Sequence, residues 1–484
     1  MGGGLLQLVA YGAQDAYISG NPQITFWKGL FKRHTNFAME PFRINLSGQQ
    51  AWGTKQSAVI SRHADLMYST YLEVQMHRTA SDKTTTQLWN DDQGFLGFNL
   101  FNYVELEIGG QMIDRMYGEW LVIWNLLTSD SNSLEKLRNM SSTTNYVSVT
   151  TDSLGNADYV GVFPTKYGCT TGFNRESSHN ILYIPLSFFY TRNPGAALPL
   201  IALQYHEVKI NILWNPANLV TGDYINPVQK NPRPISSAAI YVDYIYLDVE
   251  ERRRMAQESH EYLIEQVQYN QDKGLSASTN KVDLTFNHPV KELVWVVQPS
   301  NYINCKLPVY DGLGGPTSWN PLTNPPARPM TSANGTQDVT LGTCYSSNVY
   351  SGGTATGVGH GRLTPFTYDA AGVLSQTIQI NGQDRLAKRQ GDYFSKVQPY
   401  QHHTGSTIYS PGIYMYSFAL KPEEHQPSGT CNFSRVDAAT IVLDFVGEVV
   451  IDETRDATWD IRVYAVNYNI LRIMSGMAGL AYSN

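Results

Sequence analysis

The sequence predicts an all-β chain made of two consecutive, related antiparallel units, and three observations predict it. Apolar and polar residues alternate along short segments in both halves. The 484 residues include 39 Gly, 23 Pro and 31 Tyr, types that suit turns and pleated surfaces. Landmarks of the first half return in the same order in the second.

Taken in order, Val104, Leu106 and Ile108 alternate with Glu105 and Glu107, and Val208, Ile210 and Ile212 with Lys209 and Asn211. In the second half Val282, Leu284 and Phe286 alternate with Asp283 and Thr285, followed by a nearly continuous apolar run from Leu293 to Val297. These read as half-buried strands. Two segments read as helical connectors: Glu119 to Leu127, apolar nearly all round, and the charge-dense Glu250 to Glu258, whose Arg252, Arg253 and Arg254 are neutralised by Glu250, Glu251 and Glu258. A polar helix between two strand-rich blocks is what a junction resembles, so the boundary falls near residue 250. Stretches rich in Gly, Pro, Ser, Thr and Asn, from Thr128 to Asn180 and from Tyr310 to Arg362, read as long surface loops.

The repeat is faint but ordered. Ile108-Gly-Gly-Gln111 with Asp114-Arg115 and Tyr117-Gly-Glu-Trp120 returns as Ile380-Asn-Gly-Gln383 with Asp384-Arg385 and Gly391-Asp-Tyr-Phe394. Gly109, Gly110, Asn381 and Gly382 are thus the centres of duplicated hairpin turns, because primed turns need positive φ there. His63 to Gln75 is echoed by His288 to Gln298, and Ile184 to Leu213 by Ile413 to Phe445. Two eight-stranded jelly rolls, a double jelly roll with short helices in its connections and long loops, would give this pattern. Immunoglobulin-like sandwiches remain open at this point, although at ~100 residues each they leave too much chain over.

A net charge of −7 argues against direct contact with nucleic acid, which needs a concentrated basic surface. The four cysteines, Cys169, Cys305, Cys344 and Cys431, form no CxxC pair and read as free thiols. Met1-Gly-Gly-Gly-Leu-Leu6 lacks a signal-peptide pattern, Leu6 replaces the Ser or Thr of a myristoylation motif, and nothing approaches ~18 apolar residues. Synthesis in the cytosol, with no membrane span, is the expectation.

Motifs for chemistry are missing. There is no GxSxG, no phosphate loop, and His260-Glu261 is followed by Ile264 where HExxH needs histidine. The pair His402-His403 reads as hydrogen-bonded structure, and the carboxylate pairs Asp91-Asp92 and Glu423-Glu424 as solvated. No catalytic, cofactor or metal site is expected. Of four Asn-X-Ser/Thr sites, Asn139 and Asn334 lie in the long loops and are the candidate glycan acceptors, while Asn45 and Asn432 are expected to be less accessible.

Longer motifs carry a resemblance that spans nearly the whole chain. Leu8-Val-Ala-Tyr-Gly-Ala-Gln-Asp15, Gly20-Asn-Pro-Gln-Ile-Thr-Phe26, Leu198-Pro-Leu-Ile-Ala-Leu-Gln-Tyr-His-Glu-Val-Lys209, Lys396-Val-Gln-Pro-Tyr-Gln401 and Gln426-Pro-Ser-Gly-Thr-Cys-Asn-Phe-Ser-Arg435 resemble the major capsid proteins of nucleocytoplasmic large DNA viruses, the algal and amoebal forms above all. The resemblance implies an N-terminal arm over 1–25, a first jelly roll over 26–250, a second over 251–470 and a C-terminal tail over 471–484. It further implies a homotrimer forming a pseudo-hexagonal capsomer of an icosahedral virion, made and assembled in the host cytoplasm. Neighbouring capsomers, minor capsid and penton proteins, and a host surface met by the outer loops would be its partners, with an inner membrane nearby but not spanned. The rival reading is a carbohydrate-binding jelly roll or fibre protein of a virion; a β-sandwich glycosidase rests on fold analogy alone.

Overall fold

The structure is a computed structural model that describes residues 3–24, 26, 29, 31–76, 95–141, 181–216, 235–275, 279–299, 373–405, 413–445 and 459–482, together with short strands between them. We number the strands of the two units in parallel. In the first, β1 is Phe37–Asn45, β2 Lys55–Ile60, β3 Leu66–Met76, β4 Phe101–Ile108, β5 Gln111–Tyr117, β6 Ile181–Pro185, β7 Val208–Trp214 and β8 Ile235–Leu247. In the second, β9 is His260–Leu275, β10 Thr279–Leu284, β11 Pro289–Pro299, β12 Val373–Ile380, β13 Gln383–Asp384, β14 Ile413–Ser417, β15 Ala439–Phe445 and β16 Trp459–Met474, with β17, Met477–Leu480, added at the end.

Each unit is two antiparallel sheets, and the strand orders are the same. The first unit has β1-β8-β3-β6 and β2-β7-β4-β5; the second has β9-β16-β11-β14 and β10-β15-β12-β13. Strand n therefore takes the place of strand n+8. Even a short extra strand repeats: Leu198–Pro199 pairs with β3, and Cys431–Asn432 with β11. The first strand of each unit lies against the last, as Ile44 does against Ile240 and Val267 against Val466, which is jelly-roll topology. We call the units roll 1 and roll 2.

Period-2 alternation places Leu72, Val74, Val104, Leu106, Ile210 and Ile240 inside roll 1. Leu293, Trp295, Val297, Ile378, Ile441 and Val463 fill roll 2. The hairpin between β4 and β5 turns through Gly109 and Gly110 at φ 59° and 85°, and that between β12 and β13 through Asn381 and Gly382 at φ 50° and 77°. Positive φ at both central residues twists each hairpin with its strands.

The structure departs from the sequence expectations in three places. Within the expected loop from Thr128 to Asn180, Ser131–Ser141 is a helix. Asp130 accepts a bond from the Ser133 amide at its start, and Leu134 and Leu137 are buried along one face, an apolar spacing concealed by the Ser and Asn around it. The first strand begins at Phe37, and residues 3–24 have no buried side chain, so the exposed arm runs beyond residue 25. The expected tail over 471–484 is largely sheet. Leu471 to Met474 end β16, and Ser475 and Gly476, at φ 53° and 80°, turn the chain into β17. Among the described residues no helix is long and apolar enough to cross a membrane.

Candidate functional site

A buried polar assembly lies where the two rolls meet. It is organised by α1, Gly118–Thr128, which leaves β5 directly. Gly118 is required there, since a Cβ would sit 2.2 Å from the Phe98 carbonyl oxygen. The helix lies against the outer face of roll 2's first sheet, so Val294 and Val296 of β11, Ile413 and Met415 of β14, and Tyr464 and Val466 of β16 are continuous with the core of roll 1. β11 is thus covered on both faces, which explains its unbroken apolar run, because only a strand with one wet face must alternate.

Charges sit within this apolar seam, and most of those described here are paired. Glu119 of α1 receives two bonds from the Arg462 guanidinium, at 2.6 and 2.5 Å, and one from the Tyr464 hydroxyl at 2.6 Å. Trp120 packs on the Tyr464 ring, 5.2 Å between centroids. Trp124 lies beneath the Arg192 guanidinium at 4.8 Å and meets the His403 ring edge-on at 6.1 Å. Arg192, from roll 1, and Lys291, from roll 2, both bond Glu265, at 2.5 and 2.7 Å. Burial alone would raise the Glu265 carboxyl, but Arg192 and Lys291 outweigh it and hold it below its ordinary value.

His403 is held between two carboxylates, with Nε2 3.0 Å from Glu292 Oε2 and Nδ1 2.8 Å from Glu423 Oε1. Burial opposes the imidazolium, yet Glu292 and Glu423 prevail and raise its pKa to about 9. The next residues close over α1: Thr404 donates to the Thr128 carbonyl and Gly405 N–H to the Leu127 carbonyl at 2.7 Å. Beside the helix, the Val267 amide of β9 bonds Asp114 Oδ1, and the Gln266 side chain donates to the Ile113 carbonyl. Burial pushes Asp114 up to about 7, opposed only partly by the Val267 amide.

The β16–β17 hairpin clamps the far end of the seam. Ala478 N–H donates to His206 Nδ1, Leu480 N–H to Gln111 Oε1, and Tyr205 N–H to the Gly476 carbonyl. Buried ion pairs of this kind contribute more to register than to net stability, and breaking one partner away is costly.

The residues singled out by sequence lie mostly elsewhere. Gly109 faces the seam, its α-carbon so close to the His206 ring that a Cβ would stand 2.4 Å away, whereas Gly110 and Gly382 have open space. Asn381 Oδ1 accepts the Asp437 and Ala438 amides, tying its turn to the two residues that lead into β15. Asn139 is exposed on the Ser131–Ser141 helix, but Ser141 of its motif is buried and donates to the Leu137 carbonyl. Asn334 lies outside the described residues. Asn45 and Asn432, expected to be sheltered, are exposed. His402 bonds the Leu420 carbonyl and His403 the two glutamates, so the adjacent histidines serve separate networks. Glu423, read as solvated, is a seam residue. Glu119 stands in the repeated Tyr117-Gly-Glu-Trp120 landmark without its ion pair being legible there, and Arg462 and Glu292 have no sequence signal beyond charges embedded in apolar strands.

Comparison with known proteins addresses the rolls one at a time and then the chain. Residues 25–248 match the family model described as major capsid protein N-terminus, and residues 251–479 that described as large eukaryotic DNA virus major capsid protein. The major capsid protein of Phaeocystis pouchetii virus is 42% identical, and that of Paramecium bursaria Chlorella virus 1 is 38% identical, each over 100% of both chains. Among solved structures, PBCV-1 VP54, fitted into a reconstruction of the virophage Sputnik, superposes with a TM-score of 0.66 at 32% identity, covering 95% of this chain and 100% of that one. The Faustovirus major capsid protein shares the fold, with a TM-score of 0.62 at 13% identity over 96% of this chain and 94% of that one. Two family models meeting at the polar helix, relatives matched from end to end and a shared double jelly roll lead to one conclusion: the chain belongs to the major capsid protein family of large eukaryotic DNA viruses, and its role is structural, in the capsid.

Proposed function

We propose that three copies of this chain associate into a pseudo-hexagonal capsomer that tiles an icosahedral shell. The observation that carries this reading is the strand-for-strand repetition of rolls 1 and 2. Two alike lobes per chain and three chains make six alike lobes, so a threefold ring packs with near-sixfold neighbours through heterologous contacts. The arm supports it as well: Leu5, Leu6, Leu8, Val9, Tyr17 and Ile18 are all exposed in the single chain, and apolar surface of this extent is normally covered by a partner. In this reading the rolls divide near residue 250, the arm meets neighbouring capsomers or minor capsid and penton proteins, and the long loops face the host surface. Assembly proceeds in the host cytoplasm around an inner membrane the chain does not cross, without catalysis or a cofactor. Native mass spectrometry of the purified protein at micromolar concentration tests it. A species of three chains, giving hexagonal outlines by electron microscopy, is expected; monomer alone overturns the proposal.

A further inference from the structure

The two rolls repeat in topology but not in what covers them. Roll 2's first sheet is capped on its outer face by α1, while among the described residues no helix crosses the middle of the matching face of roll 1, of which only the end at Leu66, Ile245 and Leu247 is packed, by Met255. That face carries Tyr71, Tyr183 and Tyr241, with Tyr71 stacked on Tyr241 at 5.1 Å and meeting Tyr183 at 6.0 Å. Tyr71 and Tyr241 are partly exposed and Tyr183 is 38% exposed. Alongside runs β1, the counterpart of β9, with Phe37 58% and Met39 46% exposed.

The counterpart of α1 buries Phe394, Ser395, Gln398 and Pro399 against its own roll and leaves its other face open. It is the helical segment Tyr393–His402. It begins after Gly391, whose missing side chain lies against the Val373 carbonyl as that of Gly118 lies against the Phe98 and Phe101 carbonyls. Phe101 and Val373 each open the fourth strand of their roll, so the glycines are equivalent. From that match, Asp392 takes the place of Glu119, Val397 that of Trp124 and Tyr400 that of Leu127. Glu119 and Trp124 are spent on the seam, whereas Tyr400 is 88% and Val397 39% exposed. The neighbouring edge strand β13 is exposed where β5 is covered by β9 and β17.

We propose that the tyrosine face of roll 1 receives the 393–402 segment of a second copy of this chain, in the arrangement by which roll 2 receives α1 within the chain. The contact deepens the trimer reading above and rests on it. It is heterologous, so every copy offers one face and one segment. Within the chain, Trp120 packs on Tyr464 at a face that also holds Val294, Val296 and Met415; between chains, Val397 and Tyr400 meet a face whose three tyrosines lie beside Glu73 and Asp243. Rigid aromatics of this sort are the usual anchors of interfaces.

The test replaces Tyr400 with the photoreactive p-benzoyl-phenylalanine in the full chain, with native mass spectrometry before irradiation. The expected result is a trimer whose irradiation joins two chains, the cross-link mapping from residue 400 to peptides holding Tyr71, Tyr183 or Tyr241. A trimer whose inter-chain cross-links map elsewhere, or are absent, overturns the docking surface and leaves the trimer intact. Monomer in the unmodified protein overturns both. As a second arm, Tyr241→Asp should raise the concentration at which trimer dissociates at least tenfold without changing monomer secondary structure, and Tyr241→Phe should not; equal trimer yield in both variants refutes the assignment.

Discussion

Arg462, in the last long strand of roll 2, forms a bidentate ion pair with Glu119, in the first turn of α1, across 343 residues of sequence. The Arg462 side chain is only 5% exposed, so the charge has left water and depends on its partner. Removing that partner by Glu119→Ala should destabilise the chain by about 3–5 kcal/mol, the usual cost of an uncompensated buried charge. Chemical denaturation is the measurement. The double change Glu119→Leu with Arg462→Leu should recover most of the loss, since no charge is then stranded.

His403 gives the seam a dependence on pH. Its folded pKa of about 9 lies above the ordinary 6.5, so the folded state binds the proton more tightly than the unfolded one. The stabilisation is therefore complete below about pH 6.5 and declines as pH rises through 9, with a slope of at most ~1.4 kcal/mol per pH unit. The unfolding midpoint should fall across that window in the parent protein, and more shallowly in His403→Gln. Equal slopes in both would exclude His403 as the source.

Asp114 acts at lower pH. Burial raises it to about 7 from 3.8, so its contribution is greatest below pH 4 and is lost as pH rises through 7, when a fully buried carboxyl must ionise. The amide of Asp114→Asn cannot ionise. That variant should compare more favourably with the parent at pH 8 than at pH 5, by a denaturation series at the two values.

Gly109, Gly110 and Gly382 separate two kinds of glycine requirement. All three have positive φ, so alanine should cost about 1–2 kcal/mol at each from backbone strain. Only Gly109 also abuts His206, which holds the Ala478 amide. Gly109→Ala should therefore be the most damaging and should loosen the C-terminal hairpin, visible as faster amide exchange over 477–480. Exchange there should be unchanged in Gly382→Ala.

The local signals in the sequence were those that depend on one strand or one turn. Alternation at Val104 to Ile108 and Val282 to Phe286 marked strands, because the pleat alone dictates a period of two. Asn381-Gly382 marked its hairpin, because positive φ is a property of two residues. The order of the landmarks exposed the repeat, because duplication preserves order. Leu134 and Leu137 do not mark their helix in the sequence, because two apolar residues in a polar stretch are a weak helical signal without the core they bury against.

The seam was another matter. The run from Leu293 to Val297 announced a strand buried on both sides, yet nothing in it said that α1 would be the cover. Glu119 and Arg462, His403 and Glu292, Arg192 and Glu265 are brought together only when roll 1 and roll 2 dock. Composition, periodicity and the ordered landmarks thus determined that this chain makes strands, turns and two related sandwiches. Tertiary structure alone decided which sheet face is sealed within the chain and which is left open, because pairing charges and burying faces over hundreds of residues depends on the relative placement of whole units, and no local pattern encodes it.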